Sequence, residues 1–141
     1  MNKSGLPLFE AIGGEKTVNR LVEAFYHHVK LHPVISSLFP DDMSETVRKQ
    51  KQFLTQLLGG PQLYSMEHGH PMLRARHLHF KIGAEEADAW LTCMDHAMND
   101  IGLDPEYRKI IFERLSKTAH HMINQPAINH LGGVISRDIL R

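Results

Sequence analysis

Apolar residues along this chain recur at spacings of three and four, with no sustained alternation of apolar and polar positions. That period predicts helices and no strands. Between 15 and 30, Val18, Leu21, Val22, Phe25 and Val29 share one stripe. His32 before Pro33 ends this first helix, because a residue preceding proline is pushed out of the α region. A short segment with Leu38, Phe39 and Pro40 follows. A second helix begins between 42 and 44, where Asp42 and Glu45 have capping-box spacing and Ser44 is the competing cap. Its inward side carries Val47, Gln50, Phe53, Leu54, Leu57 and Leu58, and Gly59-Gly60-Pro61 stops it.

Residues 61–70 read as a loop rich in glycine, proline and histidine, and a short helix is predicted over 71–79, with Pro71 in its first turn. Ala87, Trp90, Leu91, Met94, Met98 and Ile101 predict a third long helix over 84–101, closed by Gly102. Asp104-Pro105-Glu106 supplies a cap, a first-turn proline and an acid for a last helix to about 124. Tyr107, Ile111, Leu115, Thr118, Ala119 and Met122 form its inward face. Pro126 and Gly132-Gly133 break the pattern, so the expected division is one domain over 1–125 and a loosely attached extension over 126–141.

Composition narrows the class. At 141 residues, 42% hydrophobic and 23% charged, the chain is suited to a single buried core and not to disorder. Sixteen basic residues balance sixteen acidic ones, which gives no general pull toward nucleic acid or acidic membranes, and neither is an expected partner. The single cysteine, Cys93, has no intramolecular disulfide partner. No run of about 18 apolar residues occurs, and the opening MNKSGLP has no apolar signal core, so the expected location is the cytoplasm.

Four polar-tipped residues fall on the predicted inward faces: Tyr26, Thr46, Gln50 and Trp90. A buried hydroxyl, amide or indole N–H without a partner costs about 1–3 kcal/mol. Each tip therefore finds a backbone carbonyl or a water of its own, or they share a polar pocket.

The eleven histidines are the unusual feature, and most are expected on solvated helix surfaces. The zinc string H-E-x-x-H is absent. A carboxylate-bridged metal bundle needs paired Glu-x-x-His strings, and the chain has one, from Glu67 to His70, within the predicted loop. His68 and His70 are either solvated or a minor surface metal site. The neighbours His27-His28 and His120-His121 diverge on a helix and do not share an ion. His77 stands apart, between Leu73, Leu78 and Phe80, with Arg74 and Arg76 beside it. A histidine that gives one nitrogen to haem iron, with cations near for carboxylate groups, has this setting, although a solvated histidine fits it too.

The chain resembles the group II truncated haemoglobins, short globins built as a two-over-two helical sandwich around a haem. The matching pieces are FEAIGGE at 9–15, LVEAFY at 21–26, LFPDD at 38–42 and RKQKQFLTQLLGGP at 48–61. LYSMEHGHPMLRARHL at 63–78, DAWLTCM at 88–94 and AHHM at 119–122 complete the series. The resemblance implies an all-α fold and a haem b (iron protoporphyrin) cofactor with His77 as the iron ligand. It implies Arg76 and Lys49 near the propionates, and Phe39, Phe53 and Leu54 at the haem cavity. It places Tyr26, Gln50 and Trp90 on the ligand side, with Thr46 where many globins carry a distal histidine.

The family often has prolines after the iron-binding histidine, whereas here the string is RHLHFK, which frees two φ angles and brings His79 near. The expected function is binding of dioxygen and other diatomic gases, for storage or scavenging. A redox enzyme served by a separate reductase, acting on nitric oxide or peroxide, and a cofactor-free helical interaction module are the alternatives. A monomer or a homodimer is expected.

Overall fold

Helices form where the three-four period predicts them, and glycine or proline stands at most of the breaks. The computed structural model describes residues 5–69 and 82–123. His77, Arg76, His79, the predicted helix over 71–79 and the extension over 126–141 lie outside the described residues. A four-residue helix α1 (Leu8–Ala11) leads into α2 (Gly14–Leu31), and a 3-10 turn (Ser36–Leu38) follows. Then come α3 (Ser44–Leu57), α4 (Leu63–His68), α5 (Ala84–Asp100) and α6 (Pro105–His121). There is no strand among the described residues.

Local chemistry sets the ends. Gly13 (φ +117°) and Gly14 (φ +70°) turn the chain sharply from α1 into α2, in a backbone region that side chains disfavour. The Thr17 hydroxyl donates to the Ile12 carbonyl (2.8 Å) across that turn. At the far end of α2, His32 is extended and its Nδ1 accepts from the Val34 N–H (3.1 Å). The start of α6 is as expected: the Asp104 carboxylate accepts from the Glu106 N–H (2.9 Å), with Pro105 in the first turn.

Two expectations fail. The capping box between Asp42 and Glu45 does not form. Asp42 accepts instead from the N–H (3.0 Å) and hydroxyl (2.7 Å) of Ser44, two residues on, and Glu45 pairs with Arg48. A short aspartate reaches its own turn more readily than the N–H three residues along. Residues 61–70 are not simply a loop, since α4 occupies Leu63–His68.

The long helices stack as two over two. α2 packs on α3, α5 packs on α6, and the two pairs meet chiefly where α2 lies on α5. α2 buries its whole stripe: Val18, Leu21, Val22, Phe25, Tyr26 and Val29. Leu54 and Leu58 from α3 and its end, Met94 and Met98 from α5, and Ile111 and Leu115 from α6 fill the rest of the core.

α1 closes one edge. The Phe9 N–H donates to the Leu58 carbonyl (2.7 Å), which sets the Phe9 ring against the backbone beyond α3. A Cβ at Gly60 would stand 2.8 Å from that ring and 2.9 Å from the Thr55 methyl. Gly60→Ala should therefore cost about 1–3 kcal/mol of stability, as overpacking typically does. Urea unfolding reads this as a lower midpoint, and an unchanged midpoint would show that the Phe9 ring yields freely.

Candidate functional site

A cavity of about 520 Å³ opens between the two helical pairs. That volume lies within the range of about 300–1,000 Å³ usual for small-ligand sites. Tyr26 reaches it from α2, and Leu38, Phe39 and Pro40 from the turn after α2. One face of α3 contributes Thr46, Lys49, Gln50 and Phe53, at the three- and four-residue spacing that stacks side chains on a helix. Glu86, Ala87 and Trp90 from α5, and Thr118, Ala119 and Met122 from α6, form the opposite side, with Ile35, Tyr64 and Ile82 completing the lining.

Seven of the predicted site residues thus meet at one cavity: Tyr26, Phe39, Thr46, Lys49, Gln50, Phe53 and Trp90. Leu54 does not. It is fully buried in the core, about 100° around α3 from Phe53, and is absent from the lining. His77 and Arg76 lie outside the described residues. Sequence reasoning missed Tyr64 and Glu86. Tyr64 sits in the stretch read as a loop, whereas Glu86 lies four residues before Trp90 and so shares its helix face, a signal that was available.

Aromatic packing fixes the polar tips. The Phe25 ring is edge-on to Tyr26 (centroids 4.8 Å, 73°) and to Trp90 (5.0 Å, 61°), and Tyr26 is edge-on to Phe39 (5.7 Å, 78°). Such edge-to-face contacts are the favoured geometry for ring quadrupoles. Along the same face of α3, Phe53 meets Tyr64 at 6.0 Å and 81°, and Tyr64 leans on His68 (4.8 Å).

Tyr26 is 5% exposed, yet no described residue hydrogen-bonds its hydroxyl. The Thr46 hydroxyl, the Gln50 amide and the Trp90 indole N–H are likewise without a partner among the described residues. Burial pushes the Tyr26 phenol well above its ordinary value of 10.0, which keeps it protonated and able to donate. Polar groups of this kind on the wall of an apolar cavity are suited to a bound molecule with an acceptor atom. Glu86 is engaged with its own backbone, accepting from the Gly83 N–H (2.6 Å) at the start of α5.

His70 lies outside the described residues. Among the described residues no group of three or more His, Cys, Asp or Glu side chains could hold an ion. His68, one of the two candidate surface ligands, donates from Nε2 to the Gln52 side-chain oxygen (2.8 Å), and His28 pairs with Asp100.

Comparison with known proteins agrees with this geometry. Residues 7–124 match the bacterial-like globin family. The chain is 59% identical over 117 residues to the group 2 truncated hemoglobin YjbI of Bacillus subtilis (strain 168), covering 83% of this chain and 88% of that one. The crystal structure of the group II truncated hemoglobin from Bacillus anthracis superposes with a TM-score of 0.87 at 56% identity, covering 92% of this chain and 99% of that chain. A truncated oxygen-avid haemoglobin from Bacillus subtilis gives a TM-score of 0.81 at 57% identity, covering 84% and 100%.

The chain belongs to the bacterial-like globins and is a group II truncated haemoglobin. Membership implies a haem cofactor and diatomic gas ligands. The residues present fit that group, with an apolar cavity of adequate volume, unpartnered donors on its wall and the exposed Lys49 among its lining residues. No described helix is long and apolar enough to cross a membrane.

The Tyr26 phenol should resist ionisation. In an ultraviolet titration of the folded protein at about pH 11, one unit above the ordinary phenol value of 10.0, Tyr26→Phe should remove no tyrosinate absorbance. A loss equal to one tyrosinate would show that the phenol is open to water.

Proposed function

We propose that this chain binds haem b in the 520 Å³ cavity and retains dioxygen there, for storage or scavenging. The observation that carries the reading is the set of unpartnered donors, Tyr26, Gln50 and Trp90, on the wall of one apolar cavity. In this reading the His77 imidazole holds the iron, Arg76 and Lys49 pair with the propionates, and Phe39 and Phe53 wall the porphyrin. Haem, when bound, supplies an iron atom that takes up a diatomic gas.

The protein's part is dipoles at fixed positions and exclusion of water. Dioxygen that draws electron density carries partial negative charge, and donors already in place stabilise that charge without reorganising. Tyr26 is the principal donor, because burial keeps its proton and Phe25 and Phe39 hold its ring. Trp90 donates its indole N–H from α5, and the Gln50 amide either donates as well or holds the Tyr26 hydroxyl. Thr46 carries a hydroxyl shorter than a histidine, which leaves room for a ligand. The oxygen-avid relative from Bacillus subtilis, with its matching fold, supports retention over rapid delivery.

Three measurements test this. Purified protein reconstituted with haem should show a Soret band, and His77→Gly should abolish or reshape it in imidazole-free buffer. Tyr26→Phe and Trp90→Phe should each speed oxygen dissociation by about tenfold, the value of one hydrogen bond to a charged acceptor. Off-rates unchanged in both variants would overturn the assignment of the donors.

A further inference from the structure

Tyr64 lines the cavity from α4, a helix of six residues. A helix that short has almost no stability of its own and takes its position from what it packs on. Here that neighbour is α3. Three α3 residues at four-residue spacing, Arg48, Gln52 and Gln56, each reach α4. The Arg48 guanidinium donates to Glu67 (2.7 Å through Nη1), and the Gln52 amide donates to the same carboxylate (3.1 Å). Gln52 also accepts from His68. The Gln56 amide donates to the Ser65 hydroxyl (2.8 Å) and accepts from the Ser65 N–H (2.9 Å).

The hydrogen bonds from α3 are polar contacts between half-buried and exposed groups, and Tyr64, 6% exposed, adds one buried ring against Phe53. Arg48, with help from Gln52, holds the Glu67 carboxyl down at about 2, so the charged pair persists across neutral and mildly acid pH. Glycines bracket the helix. Gly59 (φ +92°) lies between α3 and α4, and Gly69 (φ +81°) follows α4 directly. Backbone of this kind absorbs large changes in φ and ψ at little cost.

We propose that α4 is a hinged wall of the cavity, held shut by Arg48, Gln52 and Gln56, and that its opening admits and releases the haem. This rests on the assignment of the cavity to haem. Arg48, Gln52 and Gln56 are positioning residues that act through Tyr64. A seam made wholly of buried apolar side chains would open at a greater cost. A polar seam between partly exposed groups opens at modest cost, because water replaces each bond as it breaks. Salt screens the Arg48–Glu67 pair and not the amide bonds, so part of the opening responds to ionic strength.

The test uses the holoprotein and two readouts. Arg48→Met combined with Gln56→Ala should speed haem transfer to excess apomyoglobin by about tenfold. Amide exchange should rise in α4, while exchange in α2 and α5 and the melting temperature of the apoprotein stay at wild-type values. Arg48→Lys, which keeps a cation between Glu45 and Glu67, should keep haem loss near the wild-type rate, which a merely structural defect would not allow. Faster α4 exchange with unchanged haem loss would overturn the proposal, as would faster haem loss accompanied by a general fall in stability. Failure of the wild-type chain to take up haem would overturn the functional reading, and α4 exchange in the variants would still decide whether the seam holds the wall.

Discussion

Phe25 is fully buried, and its ring stands edge-on to Tyr26 on its own helix and to Trp90 on the facing one. The two helical pairs meet principally where α2 lies on α5, and this ring sits at that junction, beside the cavity. One apolar contact therefore serves two purposes. It belongs to the packing that joins the pairs, and it sets where a hydroxyl and an indole N–H stand relative to each other. Because the three rings touch, a change of size at either polar residue is passed to the other through Phe25. Effects of substitutions at Tyr26 and Trp90 need not add, and a double-mutant cycle is the proper way to apportion them.

The long helices were legible in the sequence, because α2, α3, α5 and α6 each repeat the three-four period over several turns. The convergence of Tyr26, Thr46, Gln50 and Trp90 was legible only as a possibility. Helical periodicity says which face a residue occupies and nothing about which other face it meets. The ordered motifs shared with the group II truncated haemoglobins supplied what period could not. Leu54 stands in the core and outside the described lining for a related reason, since Phe53 and Leu54 are both apolar neighbours on a broad inward face, and only packing decides which of them turns toward the core. α4 was missed because six residues span fewer than two turns, too few for any period to register. Its position comes from polar bonds to α3, which are long-range in sequence and carry no local signature.

The unpartnered donors bear on stability as well as binding. A buried polar group without a partner weakens a fold and is tolerated where function requires. Tyr26 is buried, while Thr46, Gln50 and Trp90 are half-buried. The surrounding frame offsets them with a fully buried stripe on α2 and with Met94, Met98, Ile111 and Leu115 beneath the cavity-forming helices. Polar surface needed for ligand chemistry is thus concentrated where an occupant would satisfy it.

Glu86 shows a tighter economy of parts. Its carboxylate closes the first turn of α5 by accepting from the Gly83 N–H, and the same side chain lines the cavity. Replacing it with an apolar residue would smooth the wall while leaving the Gly83 N–H without its side-chain acceptor. A substitution at this position therefore acts in two places at once, on the shape of the chamber and on the point where the helix begins.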